Sequence, residues 1–323
     1  MGIRRDIRDI NFKRNLKIYF KFVKKHKAIV LALMFMVFLL EVIRVIEKYL
    51  FKIIIDRGTE FSAGTLLKEP FVAILLIVAG TYIGVHIMRV IMKFYHLHVM
   101  NRLLMNTMTE LKRYYYNHIL HLSHKFHTSH KTGSLISRLI RGGSAMERLT
   151  DVFIFNVAPL IFQFILVVGS LIYLDLRSAV VIIIMMTLFI GYSVKIQNKQ
   201  RIANLDRTKK EDFEKAYVSD TMTNIDSIKY FGKENLIKNK FKKYTEKTKQ
   251  AYLWFWDYFR QLDAGQGFIV AMGLFFIMYF PILKFLAGEM TIGTIVFIFT
   301  LYGNLMFPLY SFVHGIRAYY RAM

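Results

Sequence analysis

The sequence predicts an all-α, polytopic membrane protein: six long membrane-crossing helices and two long helical hairpins on one side of the bilayer. Three observations predict it. Of 323 residues, 55% are hydrophobic, yet Lys+Arg number 45 against Asp+Glu 22, and the two kinds occupy separate stretches. That segregation excludes intrinsic disorder and an ordinary soluble enzyme. The positive charge is itself concentrated in three segments that alternate with nearly neutral ones. Pro occurs only 4 times, which suits long uninterrupted helices. With no Cys there is no disulfide framework, thiolate metal site or cysteine nucleophile.

A bilayer core about 30 Å thick needs about 20 apolar residues per helix. Residues 1–27 come first, a basic segment with ten Lys/Arg and two Asp. The first span runs from Ala28 to Ile55. Its clean apolar run, Ala28 to Leu40, is short and follows a basic region, as in a signal peptide. No small-residue cleavage pattern follows, however, and the apolar pattern resumes to Ile55. A connection of net charge −1, residues 56–69, leads to the second span, Pro70 to Met92. The third and fourth spans, Asp151 to Tyr173 and Ser178 to Val194, are separated by a short turn with Asp175 and Arg177. The fifth and sixth, Ala264 to Leu283 and Ile292 to Val313, are separated by a turn with Lys284 and Glu289.

Residues 1–27, 93–150 and 195–260 carry net charges of +8, +7 and +7, out of a formal +23. The positive-inside bias puts these three segments, and both termini, in the cytoplasm. Topology thus accounts for the basic excess, and nucleic acid is not expected as a partner. Membrane lipids are. The two long loops read as helical. Leu103 to Leu122 and Lys195 to Phe231 hold no Gly or Pro. Seventeen residues of helix project about 25 Å past the membrane. Each loop is then a hairpin with a tip, near His124 to Gly133 and near Thr223 to Asp226, a repeat in layout. Such levers suit a membrane part that docks to something in the cytoplasm. No P-loop, H-E-x-x-H or G-x-S-x-G motif is present, so the chain shows no ATPase or hydrolase machinery of its own.

Short motifs then identify a resemblance. Phe126 precedes Thr132-Gly133-x-Leu135-x-Ser137-Arg138 at the first tip. Ile228-Lys229-Tyr230-Phe231-Gly232-Lys233-Glu234 follows the second tip, and Gly288-x-Met290-Thr291-Ile292-Gly293 enters the last span. In order and spacing these resemble the transmembrane domain of six-helix, domain-swapped ABC exporters. Arg141-Gly142, Phe155-Asn156-x-x-Pro159 and Leu262-Asp263-Ala264-Gly265-Gln266 are similar to one branch, the mitochondrial and bacterial exporters linked to glutathione and heavy metals. So is Arg317, nine residues after Pro308.

The resemblance implies a domain over residues 28–323, dimerisation with a second copy or a paralogue, and docking to an ABC nucleotide-binding domain. That domain would hold ATP and Mg. It is absent from this chain, which ends at Arg321-Ala322-Met323 where family members run on, so a fragment or one gene of a split system is expected. The resemblance places Leu122, Ser123, Phe126, Thr223, Asn224, Ile225 and Asp226 at the coupling tips. It places Asp263, Gln266 and Arg317 at a substrate site for glutathione or a thiol or metal conjugate. Asp263 stands where the branch has Asn, and the branch's arginines at the end of the fourth span have only Lys195, Lys199 and Arg201 nearby, out of register. The alternatives are a lipid or drug exporter, or a six-helix channel or scaffold without an ATPase. A prokaryotic plasma membrane is expected, with a mitochondrial-type inner membrane second.

Other clusters have readings of their own. Glu41, Arg44, Glu47 and Lys48 in the first span read equally as a polar path or as an ion pair fixing packing. His118, His121, His124, His127 and His130 drift around the helix and read as solvated or partner-facing, with no metal expected. Lys238, Lys240, Lys242, Lys243, Lys247 and Lys249 read as a solvated face, and Tyr252, Trp254 and Trp256 as interfacial anchors.

Overall fold

The computed structural model describes residues 12–129 and 132–322, apart from the side chains of residues 12–15, 127–134, 137, 138, 141 and 316–322. The described residues are helical nearly throughout, with no strand among them. Six stretches are long and apolar enough to cross a membrane. They coincide with the six spans read from the sequence. The helices divide into two compact units: one runs to Met186 and resumes at Met272, the other is Thr187–Ala271.

In the larger unit, α1 (Phe12–Val23) leads through a short 3-10 turn into α2 (Lys27–Ser62), and α3 spans Lys68–Leu120. At 1.5 Å per residue the 53 residues of α3 extend about 80 Å, far more than a bilayer core. Next come α4 (His124–Ser129), α5 (Thr132–Asp151), a π-helical segment (Val152–Val157) and α6 (Ala158–Leu174). The chain then turns at Asp175 into α7 (Leu176–Thr223). The unit closes with the end of α9 (Glu234–Leu286) and with α10 (Ile292–Ala322). Helix α2 packs against α3, α6 and α10, and α10 also packs against the π segment. Leu33, Val167, Leu171, Ile298, Leu301, Leu305 and Leu309 are fully buried in this core.

The end of the basic N-terminal segment is docked through α1. Tyr19, Phe22 and Val23 recur at helical spacing and are buried against Leu111, Met146 and Leu149. Lys25 and His26 both bond Glu110, at 3.1 and 3.0 Å. Thus α1 presents an apolar face to α3 and α5 while Lys17 and Lys21 stay exposed.

Each short connection is made by local chemistry. Gly64, at φ +76°, ends α2 in the left-handed region that glycine adopts freely. At the next turn Asp175 is extended and caps α7, accepting from the Ser178 N–H at 2.9 Å. Its other oxygen meets Lys284 Nζ at 2.8 Å. Helix α10 starts with Thr291 accepting from the Thr294 N–H at 3.2 Å, while Asp56 accepts from the Gly293 N–H at 2.9 Å. A Cβ at Gly293 would overlap the Asp56 carboxylate and lie 2.6 Å from the Lys52 carbonyl, so this position needs glycine.

The smaller unit is a hairpin: the far part of α7, α8 (Ile225–Tyr230) and the near part of α9. Tyr217 stacks on Phe241, with Tyr244 beside it. Arg207 lies over the Tyr252 and Phe255 rings at 4.9 and 4.8 Å, and Tyr252 donates to Glu211 at 3.0 Å. Tyr252 is therefore a packed network member and not a free interfacial anchor, unlike the half-exposed Trp254 and Trp256. The six lysines from Lys238 to Lys249 are exposed, as a solvated face requires.

Candidate functional site

The two hairpin tips carry the seven residues assigned to coupling. At the first, α3 ends at Leu120 and a turn leads into α4. Ser123 caps α4, its carbonyl accepting from the Phe126 N–H at 2.9 Å. Leu122 and Phe126 are half-buried. At the second, Thr223 closes α7 by donating to the Ser219 carbonyl at 2.9 Å, and Asn224 donates to the Asp220 carbonyl at 2.9 Å. Asn224 breaks the helix because its amide competes for the backbone. Ile225 and Asp226 then open α8, exposed like Met222, Tyr230 and Phe231. Both tips thus end in a six-residue helix, and the second displays uncovered apolar side chains.

The residues assigned to substrate divide between the units. Gln266 is buried in the hairpin unit, its amide donating to Ser193 Oγ at 2.8 Å, and Ser193 donates onward to the Phe189 carbonyl. Asp263 is exposed and pairs with no lysine among the described residues. Tyr192 donates to the Gln261 carbonyl at 2.6 Å and fills the space beside Gly265, where a Cβ would overlap its ring. The Leu262 to Gln266 motif is therefore also a packing motif. Arg317 belongs to α10 in the larger unit, and its side chain lies outside the described residues, as do those of His127 and His130. No group of three potential metal ligands occurs among the described residues.

Other polar groups inside the spans were only partly legible. Arg44 Nη1 holds both Glu41 oxygens, at 2.9 and 3.0 Å, so the ion pair read from the sequence is real. Glu47 is held the same way by Arg89 from α3, both distances 3.0 Å. Arg89 went unread, although a cation inside the second apolar run is itself a signal. Asn156, in the π segment, donates to the Ser311 carbonyl of α10 at 2.9 Å. Irregular helix of this kind gathers at functional sites.

Comparison with known proteins agrees with the motifs. The family model described as "ABC transporter transmembrane region" matches residues 30–309. The iron-sulfur clusters transporter ATM1 of Debaryomyces hansenii mitochondria is 28% identical over 213 residues, 64% of this chain and 30% of that one. The human mitochondrial iron-sulfur clusters transporter ABCB7 is 22% identical over 270 residues, 82% of this chain and 36% of that one. The chain spans about a third of the length of these curated relatives. A bacterial Atm1-family ABC exporter solved with ATP bound shares the fold, with a TM-score of 0.70 at 18% identity, covering 92% of this chain and 51% of the other. The six-span helical architecture, the motif order and the match over most of its length together show that this chain belongs to the ABC transporter transmembrane-region family.

Proposed function

We propose that the chain is the membrane-spanning half of an ATP-driven exporter of the Atm1 type, moving glutathione or a thiol or metal conjugate out of the cytoplasm. The observation that carries this reading is the pair of long hairpins, each ending in a short helix at its tip. In this proposal the tips insert into ABC nucleotide-binding domains, which hold ATP and Mg. Two copies or paralogues of the membrane domain form the dimer. ATP-driven closure of the nucleotide-binding domains moves the hairpins as levers, and the cavity turns from one side to the other. Net transport follows from the different affinity of the two states for substrate. In this reading the long loops and both termini face the cytoplasm of a prokaryotic plasma membrane; a mitochondrial-type inner membrane is the second choice, and the named relatives are mitochondrial.

Three residues are assigned to substrate in this reading, each by its own chemistry: Asp263, Gln266 and Arg317. Gln266 spends its amide nitrogen on Ser193 and offers its carbonyl oxygen to an N–H of a peptide-like ligand. Arg317 takes a carboxylate, and the exposed Asp263 takes an ammonium. An acid in place of the branch's amide thus suits a zwitterion better than a plain anion.

Two experiments test the reading. Glutathione or a thiol conjugate stimulates the ATPase of the assembled complex, and Arg317→Ala abolishes that stimulation. Equal stimulation in the variant removes Arg317 from the site. Phe126→Asp and Ile225→Asp separate ATP hydrolysis from transport. Unchanged activity in both, with no ATPase chain in the intact mass from native membranes, turns the assignment to a channel or scaffold.

A further inference from the structure

A cavity of about 270 Å³ lies within the larger unit, among α2, α3 and α10. Arg44, Glu47 and Lys48 line it from α2, Arg89 from α3, and Gly303 and Asn304 from α10. None of the described side chains assigned to substrate or coupling does. Three cations therefore face one carboxylate, and the lining stays net positive even when the buried Glu41 beside Arg44 is counted. The two acids are already spent on Arg44 and Arg89. Lys48 pairs with no acid among the described residues, and the Asn304 side-chain nitrogen is buried without a hydrogen-bond partner. An amide N–H left that way costs about 1–3 kcal/mol, and a surplus cation between apolar helices is costlier still.

The unpaired Lys48 and the buried Asn304 N–H are both donors. Arginine forks and a lysine in a low-dielectric cleft recognise an oxyanion, and field focusing strengthens the attraction. Depth separates a soluble ligand from a lipid. Arg44 lies roughly 26 Å by helical rise from either end of α2, so the cluster sits at mid-helix, away from the headgroup level. We propose that this cavity is a binding site for a small soluble carboxylate-bearing anion. The inference stands on the cavity alone and holds whether or not the chain drives export.

The test measures succinate binding by titration calorimetry to the full-length protein in phosphatidylcholine nanodiscs. The expected result is saturable binding. Lys48→Met removes the unpaired cation and weakens binding about tenfold. Gly303→Leu fills the cavity, since nothing lies within 4 Å of a Cβ there, and abolishes binding. Neither ligand-free variant melts below the wild type. No saturable binding by the wild type, or wild-type affinity in both variants, overturns the proposal. Loss of succinate binding when phosphatidylglycerol is added to the nanodiscs assigns the cavity to a lipid headgroup and also overturns it. Equal binding in the two lipid compositions supports it.

Discussion

In the larger unit Asp175, Glu47 and Asp56 are each met from another helix, while in the Thr187–Ala271 hairpin three ion pairs run along one helix and stay wet. Asp175 is 2% exposed and meets Lys284 of another helix. Glu47 is 7% exposed and is held by Arg89 of α3. Asp56 accepts from the backbone of α10. In the hairpin, Lys210–Asp206, Lys215–Glu211 and Lys249–Glu246 are spaced three or four residues apart on one helix and mostly exposed. Exposed pairs contribute about 0–1 kcal/mol, whereas breaking a buried pair costs about 3–5 kcal/mol because it strands a charge. The difference teaches that the larger unit uses charge to position helices. The hairpin uses it for solubility and relies on its aromatic and Arg207 stacking for packing.

Lys284→Met should sharpen this most, lowering stability by about 3 kcal/mol in a melting experiment in nanodiscs, with Asp175→Asn added to it recovering part of the loss. The pH dependence of the wild type has a definite sign. Burial raises the Asp175 carboxyl, but the hydrogen bonds from Lys284 and Ser178 outweigh it and hold the group below its usual range. Its contribution is full above the ordinary carboxylate pKa of about 3.9 and is lost as pH falls through the depressed value. A wild-type melting temperature unaffected by Lys284→Met would break the comparison.

The next effect contrasts two glycines. Gly293→Ala should cost about 2–3 kcal/mol, because a backbone carbonyl and the cap of α10 stand in the way. Gly265→Ala should cost about 1 kcal/mol, because only the Tyr192 side chain must move and give up its bond to Gln261. Equal losses would mean the two units tolerate overpacking alike. Glu110→Gln, which loosens α1 through Lys25 and His26, should cost about 0.5–1 kcal/mol and appear as faster proteolysis near the N-terminus. Lys249→Ala should change stability by less than about 0.5 kcal/mol.

The spans were legible because a membrane helix states itself in about 20 apolar residues, and the tips because each long loop, with its Gly- and Pro-free run, has to turn back toward the membrane. The π segment at Val152–Val157 was only half legible: Pro159 just after it removes an i→i−4 bond, but the length of the irregular stretch is not written locally. It accompanies a bond from Asn156 to Ser311, 155 residues away. The docking of α1 was half legible: its apolar spacing was present, but a basic composition masked it. Arg89 was visible as an intramembrane cation, yet its partner Glu47 lies 42 residues earlier, and nothing local pairs them.

By itself the sequence determined that this chain crosses a membrane six times, bears two long helical hairpins and carries the motifs of its family. Those properties follow from local composition and hydrophobic period. Only the tertiary structure decided which acid meets which cation across helices and why a Cβ at Gly265 or Gly293 meets another side chain or backbone. It alone also showed that Arg44, Lys48, Arg89 and Asn304 surround one cavity. Those facts depend on the close approach of helices far apart in the chain. Pairing energies act over a few ångströms, a distance on which sequence separation carries no information.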